Sequence, residues 1–104
     1  MKEYNKLVRD NIPQIVKRNG GVAHIRRIDS DEEYIQELIK KLLEEANEVA
    51  KTPVVEELAD VKEVLEALAA ALDISLDELD EVQQAKAEKN GKFDQRVYLI
   101  GTEG

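Results

Sequence analysis

Cysteine is absent from this chain of 104 residues, which excludes disulfides, thiolate metal ligands and cysteine nucleophiles. Histidine occurs once, and His24 stands in a β-prone run with no evident partner, so we interpret it as structural or exposed. No apolar run approaches the roughly 18 residues of a membrane span, and no signal-peptide pattern opens the chain. We therefore expect a cytoplasmic protein without a membrane partner.

Positive charge is also scarce, because 15 basic residues face 23 acidic ones, for a net charge of −8. This balance argues against a nucleic-acid partner, since nucleic-acid binding requires a net basic surface. The acids are concentrated in residues 29–81, whose local charge is −14, whereas residues 1–28 carry +5 and residues 82–104 carry +1. The division is either surface patterning or the meeting of a cation site with a phosphate-binding site.

Two long amphipathic helices are predicted in the acidic middle. The first runs from Ser30 to Lys51, where Ser30 and Glu33 have the spacing of a capping box and apolar residues recur at helical intervals. Thr52 as N-cap and Pro53 at the first helical position predict a second helix from about Pro53 to Leu72. The short connection favours an antiparallel pair. The apolar positions expected to form its core are Ile35, Leu38, Ile39, Leu42, Ala46 and Val49, then Leu58, Val61, Leu65, Leu68 and Leu72.

Shorter elements complete the predicted fold. Helices are expected over Ile12 to Arg18 and from Ser75 to the stop at Asn90-Gly91. The β-prone runs Val22 to Ile28 and Arg96 to Ile100 predict two short strands that pair beside the helices. The expected architecture is one domain over residues 1–104, mainly all-α, in which a helical bundle contains the antiparallel hairpin, further helices and two short β-strands.

Four carboxylates stand apart from the other acids of the predicted hairpin. A spacing of three residues places Glu45 with Glu48 on one helix face, and Glu57 with Asp60 on another. At about 100° per residue, Glu45 borders the apolar stripe of its helix, and Glu57 lies among apolar neighbours with Asp60 at their flank. Glu44 is expected to face water. An antiparallel hairpin can bring the two pairs together.

These four carboxylates have few basic partners, because the chain has no arginine between Arg27 and Arg96 and only Lys41 lies near the first pair. An ionised carboxylate on an apolar face is unfavourable unless a cation accompanies it. One divalent cation bound by all four carboxylates would offset the repulsion among them. Ligation by oxygen alone suits Mg²⁺ or Mn²⁺ better than Zn²⁺.

The arrangement resembles the signature of the MazG-like, all-α NTP pyrophosphohydrolase superfamily, which includes the phosphoribosyl-ATP pyrophosphohydrolases. That signature is E-E-x-x-E followed by E-x-x-D, and the chain has Glu44-Glu45-Ala46-Asn47-Glu48 and then Glu57-Leu58-Ala59-Asp60. The opening Lys6-Leu7-Val8-Arg9-Asp10-Asn11-Ile12-Pro13 is similar to the K-L-V-R-D-x-I-P start of a small single-domain branch. Lys86 to Phe93 is similar to the K-x-x-K-R-G-G-F tail of that branch, from which Asn90 and Lys92 depart.

The resemblance implies a Mg²⁺-dependent enzyme that cleaves a nucleoside triphosphate into the monophosphate and pyrophosphate. Clearance of noncanonical nucleotides is one role that such an activity suggests. It implies a core completed by a second subunit, in a homodimer or homotetramer. Glu45 or Glu48 would lie closest to the attacking water. The metal ligands it implies are Glu45, Glu48, Glu57 and Asp60, and the basic residues expected to bind phosphate are Lys6, Arg9, Lys86 and Lys89.

Two alternatives stay open at this point. The first is phosphoribosyl-ATP pyrophosphohydrolase activity, which belongs to the same class and is disfavoured by the K-L-V-R-D opening. The second is a non-catalytic helical oligomerisation module whose acids are solvated or bind Ca²⁺ or Mg²⁺ structurally. Solvent exposure of Glu57 would favour this second alternative.

Overall fold

A computed structural model describes all residues 1–104 and consists of four α-helices without a β-strand. The helices are α1 (Ile12–Arg18), α2 (Asp31–Lys51), α3 (Val55–Ala71) and α4 (Leu76–Asn90). The predicted all-helical class is confirmed. None of the four helices combines the length and the apolar composition that crossing a bilayer requires.

The predicted N-terminal caps of α2 and α4 are confirmed. The Ser30 hydroxyl accepts a hydrogen bond from the Glu33 N–H at 3.1 Å, and the Ser75 hydroxyl accepts one from the Glu78 N–H at 3.1 Å. Each bond satisfies one of the free N–H groups at a helix start. The helix α4 ends before Gly91, whose φ of +82° is a conformation that glycine adopts without steric strain.

The predicted start of α3 is wrong by two residues. Thr52 is not its N-cap, because Thr52 closes α2 by donating its N–H to the Glu48 carbonyl at 2.9 Å. Thr52 also has an extended ψ of 87°, as expected for a residue whose α-conformation is disfavoured by the proline that follows it. Pro53 therefore lies in the connection, and α3 begins at Val55 after Val54, which provides no side-chain cap.

The helices α2 and α3 form the antiparallel hairpin around which the rest of the chain is arranged. The two helices make the most extensive contact in the molecule, and the only buried residues are Leu38 on α2 and Ala69 on α3. The helix α4 packs on α3 but not on α2. The small Ala69 side chain allows the close helix approach expected of this alanine-rich stretch.

A Schellman motif ends α3. The Asp73 N–H donates to the Ala70 carbonyl at 3.0 Å, and the Ile74 N–H donates to the Ala69 carbonyl at 2.9 Å. Asp73 closes the motif with φ at +59°, in the left-handed region that a residue with a Cβ atom adopts at a steric cost.

Replacing Asp73 with glycine is expected to stabilise the protein by about 0.5–1 kcal/mol. Glycine removes the steric penalty of the left-handed conformation, which is roughly 1–2 kcal/mol. Part of this gain is offset, because glycine gives the unfolded chain more conformational entropy to lose on folding. Thermal and urea unfolding of Asp73→Gly would measure the gain. Asp73→Ala, which keeps a Cβ atom, serves as the control and should show no stabilisation.

The two predicted β-strands are absent, so that part of the expected fold is wrong. Residues of Val22–Ile28 and Arg96–Ile100 make no backbone hydrogen bond with one another, and most of their apolar side chains are exposed. A single run cannot satisfy its own backbone, and β-propensity acts only where a partner strand is present. The second run is also interrupted at its first residue, because Arg96 has a φ of +56°.

The single chain is extended. Its radius of gyration is 18.3 Å, against about 13 Å for a compact domain of about 100 residues. It exposes 9589 Å² of surface, whereas a globular monomer of 11.8 kDa exposes about 5,900 Å². The difference is about 3,700 Å².

Much of this surface is apolar and lies on one side of the hairpin. Helical spacing places these side chains opposite the side on which Glu45 and Asp60 lie. Several positions predicted for the core are therefore exposed in the single chain. This free apolar face consists of Ile39, Leu43, Leu58, Leu65 and Leu72, which are 42–63% exposed.

Candidate functional site

Three carboxylates converge on the other side of the hairpin. Glu45 from α2 and Glu57 and Asp60 from α3 each place one oxygen within 4.8 Å of the others. The short antiparallel connection produces this meeting, because it sets the last turns of α2 beside the first turns of α3. All three residues are partly buried. We call them the acidic cluster.

The Glu45 side chain is only 12% exposed. Its carboxylate lies 3.5 Å from the Lys41 ammonium, which also lies 3.6 Å from Glu44. Lys41 is only 17% exposed, so it is held beside the cluster and supplies one positive charge that two carboxylates share.

Asp60 is paired with Arg9 from the N-terminal part of the chain. The Arg9 Nη2 atom donates to Asp60 Oδ1 at 2.7 Å, and Nη1 lies 3.6 Å from Glu63 Oε1. The guanidinium therefore bridges two carboxylates of α3. Arg9, which the resemblance assigns to phosphate, is engaged with a predicted metal ligand in this structure.

Glu57 is the member of the acidic cluster that no basic group approaches within 4 Å. Partial burial raises the pKa of its carboxyl, and the negative charges of Asp60, Glu48 and Glu45 raise it further. Its ionised form is therefore disfavoured in the folded chain. Partial burial of Glu57 also argues against the alternative of a non-catalytic oligomerisation module whose acids are solvated.

Glu48 lies at the margin of the acidic cluster and is not part of it. Its side chain is 45% exposed, and its carboxylate lies 3.7 Å from the Lys51 ammonium. Its charge nevertheless contributes to the raised pKa of Glu57. The four predicted ligands thus comprise three that converge and one beside them.

Lys6 pairs with Glu44 on the outer side of α2, at 2.8 Å between Nζ and Oε1. This hydrogen bond raises the pKa of Lys6 and lowers the pKa of Glu44. Glu44 was expected to face water, and its side chain is 37% exposed. Its ion pair with Lys6 was not predicted, because sequence spacing cannot identify a partner 38 residues away.

The other two predicted phosphate ligands are not brought to the acidic cluster. Lys86 and Lys89 are exposed on the last turns of α4, a helix that makes no contact with α2. Neither lysine pairs with an acid or lines the cleft described next. Their predicted role therefore has no geometric support in the single chain.

A cleft of about 570 Å³ lies between the N-terminal segment and the hairpin, beside the acidic cluster. Its charged lining consists of two basic residues, Arg9 and Lys41, and four acidic ones, Asp10, Glu45, Asp60 and Glu63. The cleft falls within the size range of small-molecule sites, about 300–1,000 Å³. Sequence reasoning missed its apolar lining, which includes Ile12, Ile15, Tyr34, Leu38, Val64 and Ala67.

The donor set of the acidic cluster fits a hard divalent cation. Mg²⁺ prefers six oxygens at about 2.0–2.1 Å, which places neighbouring ligand oxygens about 3 Å apart and opposite ones about 4 Å apart. The cluster oxygens, within 4.8 Å of one another, need only small side-chain rotations to reach such distances. Glu45, Glu57 and Asp60 could therefore hold Mg²⁺ or Mn²⁺, with Glu48 close enough to assist.

Comparisons with protein-family models, with curated proteins and with solved structures find no match to this chain. The functional argument therefore depends on the site geometry and on the sequence motifs.

Proposed function

We propose that this protein is a Mg²⁺-dependent nucleoside triphosphate pyrophosphohydrolase, which releases a nucleoside monophosphate and pyrophosphate. The observation that carries the proposal is the acidic cluster beside a nucleotide-sized cleft, with one carboxylate, Glu57, that lacks any basic partner. A divalent cation would relieve the repulsion around Glu57 and would bind the polyphosphate of a substrate.

The proposed roles follow from the positions of the side chains. Glu45, Glu57 and Asp60 would hold Mg²⁺, and the bound ion would supply charge neutralisation at phosphate oxygens and orientation of a water for in-line attack. Glu48, outside the cluster and more exposed, accepts the water proton and passes it to solvent. The water oxygen bonds to the α-phosphorus, the bond between that phosphorus and the α–β bridging oxygen breaks, and the bridging oxygen leaves with pyrophosphate.

Substrate binding is assigned to the cleft beside the acidic cluster. Tyr34 and Val64 offer an apolar surface for the nucleoside, and the Tyr34 ring provides a stacking partner for a base. Arg9 and Lys41 line the same cleft and would bind phosphate oxygens, Arg9 through its guanidinium fork. Lys6, which pairs with Glu44 on α2, supplies a further basic group outside the cleft.

The activity is tested with a panel of nucleoside triphosphates, canonical and noncanonical, together with phosphoribosyl-ATP, each with Mg²⁺ or with EDTA. We expect Mg²⁺-dependent pyrophosphate release from at least one nucleoside triphosphate. Release from phosphoribosyl-ATP alone would establish the alternative substrate. No release from any compound by a folded, Mg²⁺-binding protein would favour the non-catalytic module.

A homodimer is proposed on the free apolar face. The single chain exposes about 3,700 Å² more than a globular monomer of its mass. Obligate interfaces bury about 2,000–5,000 Å² in total, or about 1,000–2,500 Å² on each partner, so this excess is large enough to supply one side of such an interface. A second copy of the chain supplies an equally apolar surface, as a two-fold interface requires. The hairpin would then complete its core as part of a larger bundle.

Sedimentation velocity is expected to give at least twice the 11.8 kDa mass of the chain. Leu43→Glu places a charge in the centre of the free apolar face and should reduce the mass to that of one chain. Gln84→Glu, which adds the same charge on exposed α4, is the control and should leave the mass unchanged. A monomeric wild-type protein with native helicity at micromolar concentration would refute the dimer.

A further inference from the structure

Residues 97–100, called here the tail run, are the most exposed apolar stretch of the chain. Val97, Tyr98, Leu99 and Ile100 follow one another and are 73–96% exposed. No other four consecutive residues are all large, apolar and exposed. An uncharged, β-prone stretch of this kind is unfavourable in water and is typical of a segment that pairs with another strand.

Residues 22–28, called here the entry run, lead into α2 and are similarly free. Val22 and Ile25 are both more than half exposed. Neither the entry run nor the tail run makes a backbone hydrogen bond to any other residue. Each copy of the chain therefore carries two β-prone runs whose backbone donors and acceptors are available for strand pairing.

The helix α4 and the residues after it form an arm with little support from their own chain. α4 packs on α3 alone, and its apolar residues Leu76 and Val82 are about half exposed. Residues 88–104 are exposed without exception. The chain extends over 61 Å, although its longest helix, α2, measures only about 32 Å. An arm of this kind favours the exchange of a segment with a second copy of the chain.

We propose that the tail run of one copy pairs with the entry run of a second copy, so that the homodimer contains two short antiparallel ribbons. A two-fold axis forms the same ribbon twice and leaves no run unpaired. Two tail runs paired together would leave both entry runs free, and two entry runs would repel each other through Arg26 and Arg27. The inference rests on the homodimer of the proposed function and not on its activity.

Side-chain chemistry selects the faces of the ribbon. Val97 and Leu99 project to one side of an extended chain, and Tyr98 projects to the other. The wholly aliphatic side matches Ile25, whereas Tyr98 matches Arg26, whose guanidinium can lie on the aromatic ring. An antiparallel register with Ile25 opposite Leu99 satisfies both matches, because it also sets Arg26 opposite Tyr98.

Cysteine cross-linking tests the pairing, because the chain has no cysteine of its own. Ile25→Cys and Leu99→Cys proteins are mixed, left to exchange subunits and mildly oxidised. We expect a disulfide between positions 25 and 99, which can only join two different chains, identified by mass spectrometry of the linked peptides. Tyr98→Cys is the matched control, because its side chain lies on the opposite face, and it should link to Ile25→Cys at least about 10-fold less.

The backbone ladder is tested with proline. Alternate residues of a two-stranded ribbon point their N–H groups at the partner strand, so either Tyr98→Pro or Leu99→Pro removes a ladder hydrogen bond. That variant should weaken dimerisation by about 10-fold, as the loss of one or two net hydrogen bonds predicts. Glu103→Pro lies beyond the tail run and should leave the dimerisation constant unchanged.

Amide hydrogen exchange tests the same ladder without a change in the tail run. Alternate amides of the tail run should exchange slowly in the wild-type dimer, although they have no partner in the single chain. They should exchange rapidly in the monomeric Leu43→Glu protein. Should Leu43→Glu fail to fold, the cross-linking experiment still decides, because it uses chains with an unaltered free apolar face.

The outcomes separate the strand exchange from the homodimer and from the activity. A dimer whose tail amides exchange rapidly, or whose Leu99→Cys chains link to each other instead of to Ile25→Cys, would overturn the strand exchange and leave the homodimer intact. Slow exchange that persists in monomeric Leu43→Glu would assign the pairing to one chain and overturn the inference. A monomeric wild-type protein would overturn the homodimer and the strand exchange together. None of these measurements depends on pyrophosphate release, so an inactive protein can still confirm the strand exchange.

Discussion

Glu57→Gln is expected to reduce pyrophosphate release by at least about 100-fold, within the range by which lost electrostatic stabilisation slows enzymes. The metal-free variant should be as stable as wild type or more stable. Both effects have one cause, because Glu57 is the cluster carboxylate without a basic partner. Glutamine keeps the shape of the side chain and removes a charge that is useful only when a cation is bound.

The stability gain of Glu57→Gln should depend on pH. Partial burial and neighbouring acids raise the pKa of Glu57 in the folded protein above its ordinary value. A carboxyl with a raised pKa contributes most to stability at acid pH, where it is protonated, and this contribution is lost as pH rises through the raised pKa. The stability gain of metal-free Glu57→Gln over wild type should therefore be absent near pH 4 and grow towards pH 7.

Glu56→Gln is the control for these measurements, since Glu56 is the exposed neighbour of Glu57 and lies outside the acidic cluster. It should retain activity and show no comparable gain in metal-free stability. The assignment of Glu57 would be refuted by a metal-free Glu57→Gln protein that melts far below wild type yet keeps wild-type activity per folded molecule. That combination would identify Glu57 as half of a structural pair.

Mg²⁺ is expected to stabilise the protein by about 2.7 kcal/mol when its concentration is 100 times the dissociation constant. For a domain of this size the melting temperature should rise by about 10 °C or more. The gain arises because the folded chain gathers Glu45, Glu57 and Asp60, whereas the unfolded chain does not. Thermal melts in Mg²⁺ and in NaCl of equal ionic strength separate specific binding from screening.

Asp60→Asn should lose most of the stabilisation by Mg²⁺, because it removes one of the three charges of the acidic cluster. Glu56→Gln should keep it. A melting temperature that millimolar Mg²⁺ leaves unchanged, with and without a nonhydrolysable nucleotide, would count against a cation at the acidic cluster.

The features predicted correctly from the sequence are those that neighbouring residues determine. The Ser30 and Ser75 caps and the stop at Gly91 depend on a few adjacent positions. The proximity of Glu45 to Glu57 and Asp60 follows from a three-residue spacing and a short connection between two helices. The meeting of these three carboxylates could therefore be predicted from the sequence alone.

Features that depend on the path of the chain in space could not be predicted from the sequence. The Arg9–Asp60 pair joins residues 51 apart, and the Lys6–Glu44 pair joins residues 38 apart. Both depend on how residues 1–11 cross the hairpin, which no periodicity encodes. The cleft lining was missed for the same reason, since Ile15 and Tyr34 line one cleft only through the path that the chain takes between them.

Partner-dependent features account for the remaining errors. Val22–Ile28 and Arg96–Ile100 have strand propensity but no partner strand within the chain. Leu58, Leu65 and Leu72 have core spacing, but no helix of the same chain covers them. Apolar periodicity predicts that a surface will be buried without specifying what buries it.

The dominance of the α2–α3 contact has a consequence for the order of folding. The two helices are joined by only three residues, so closing the loop between them loses little chain entropy. A chain whose contacts are mostly local in sequence has a low contact order and folds fast. The hairpin, and with it the acidic cluster, would thus assemble early, before residues 1–11 and α4 settle against it. A cation present during synthesis would then encounter its ligands while the rest of the chain is still unfolded.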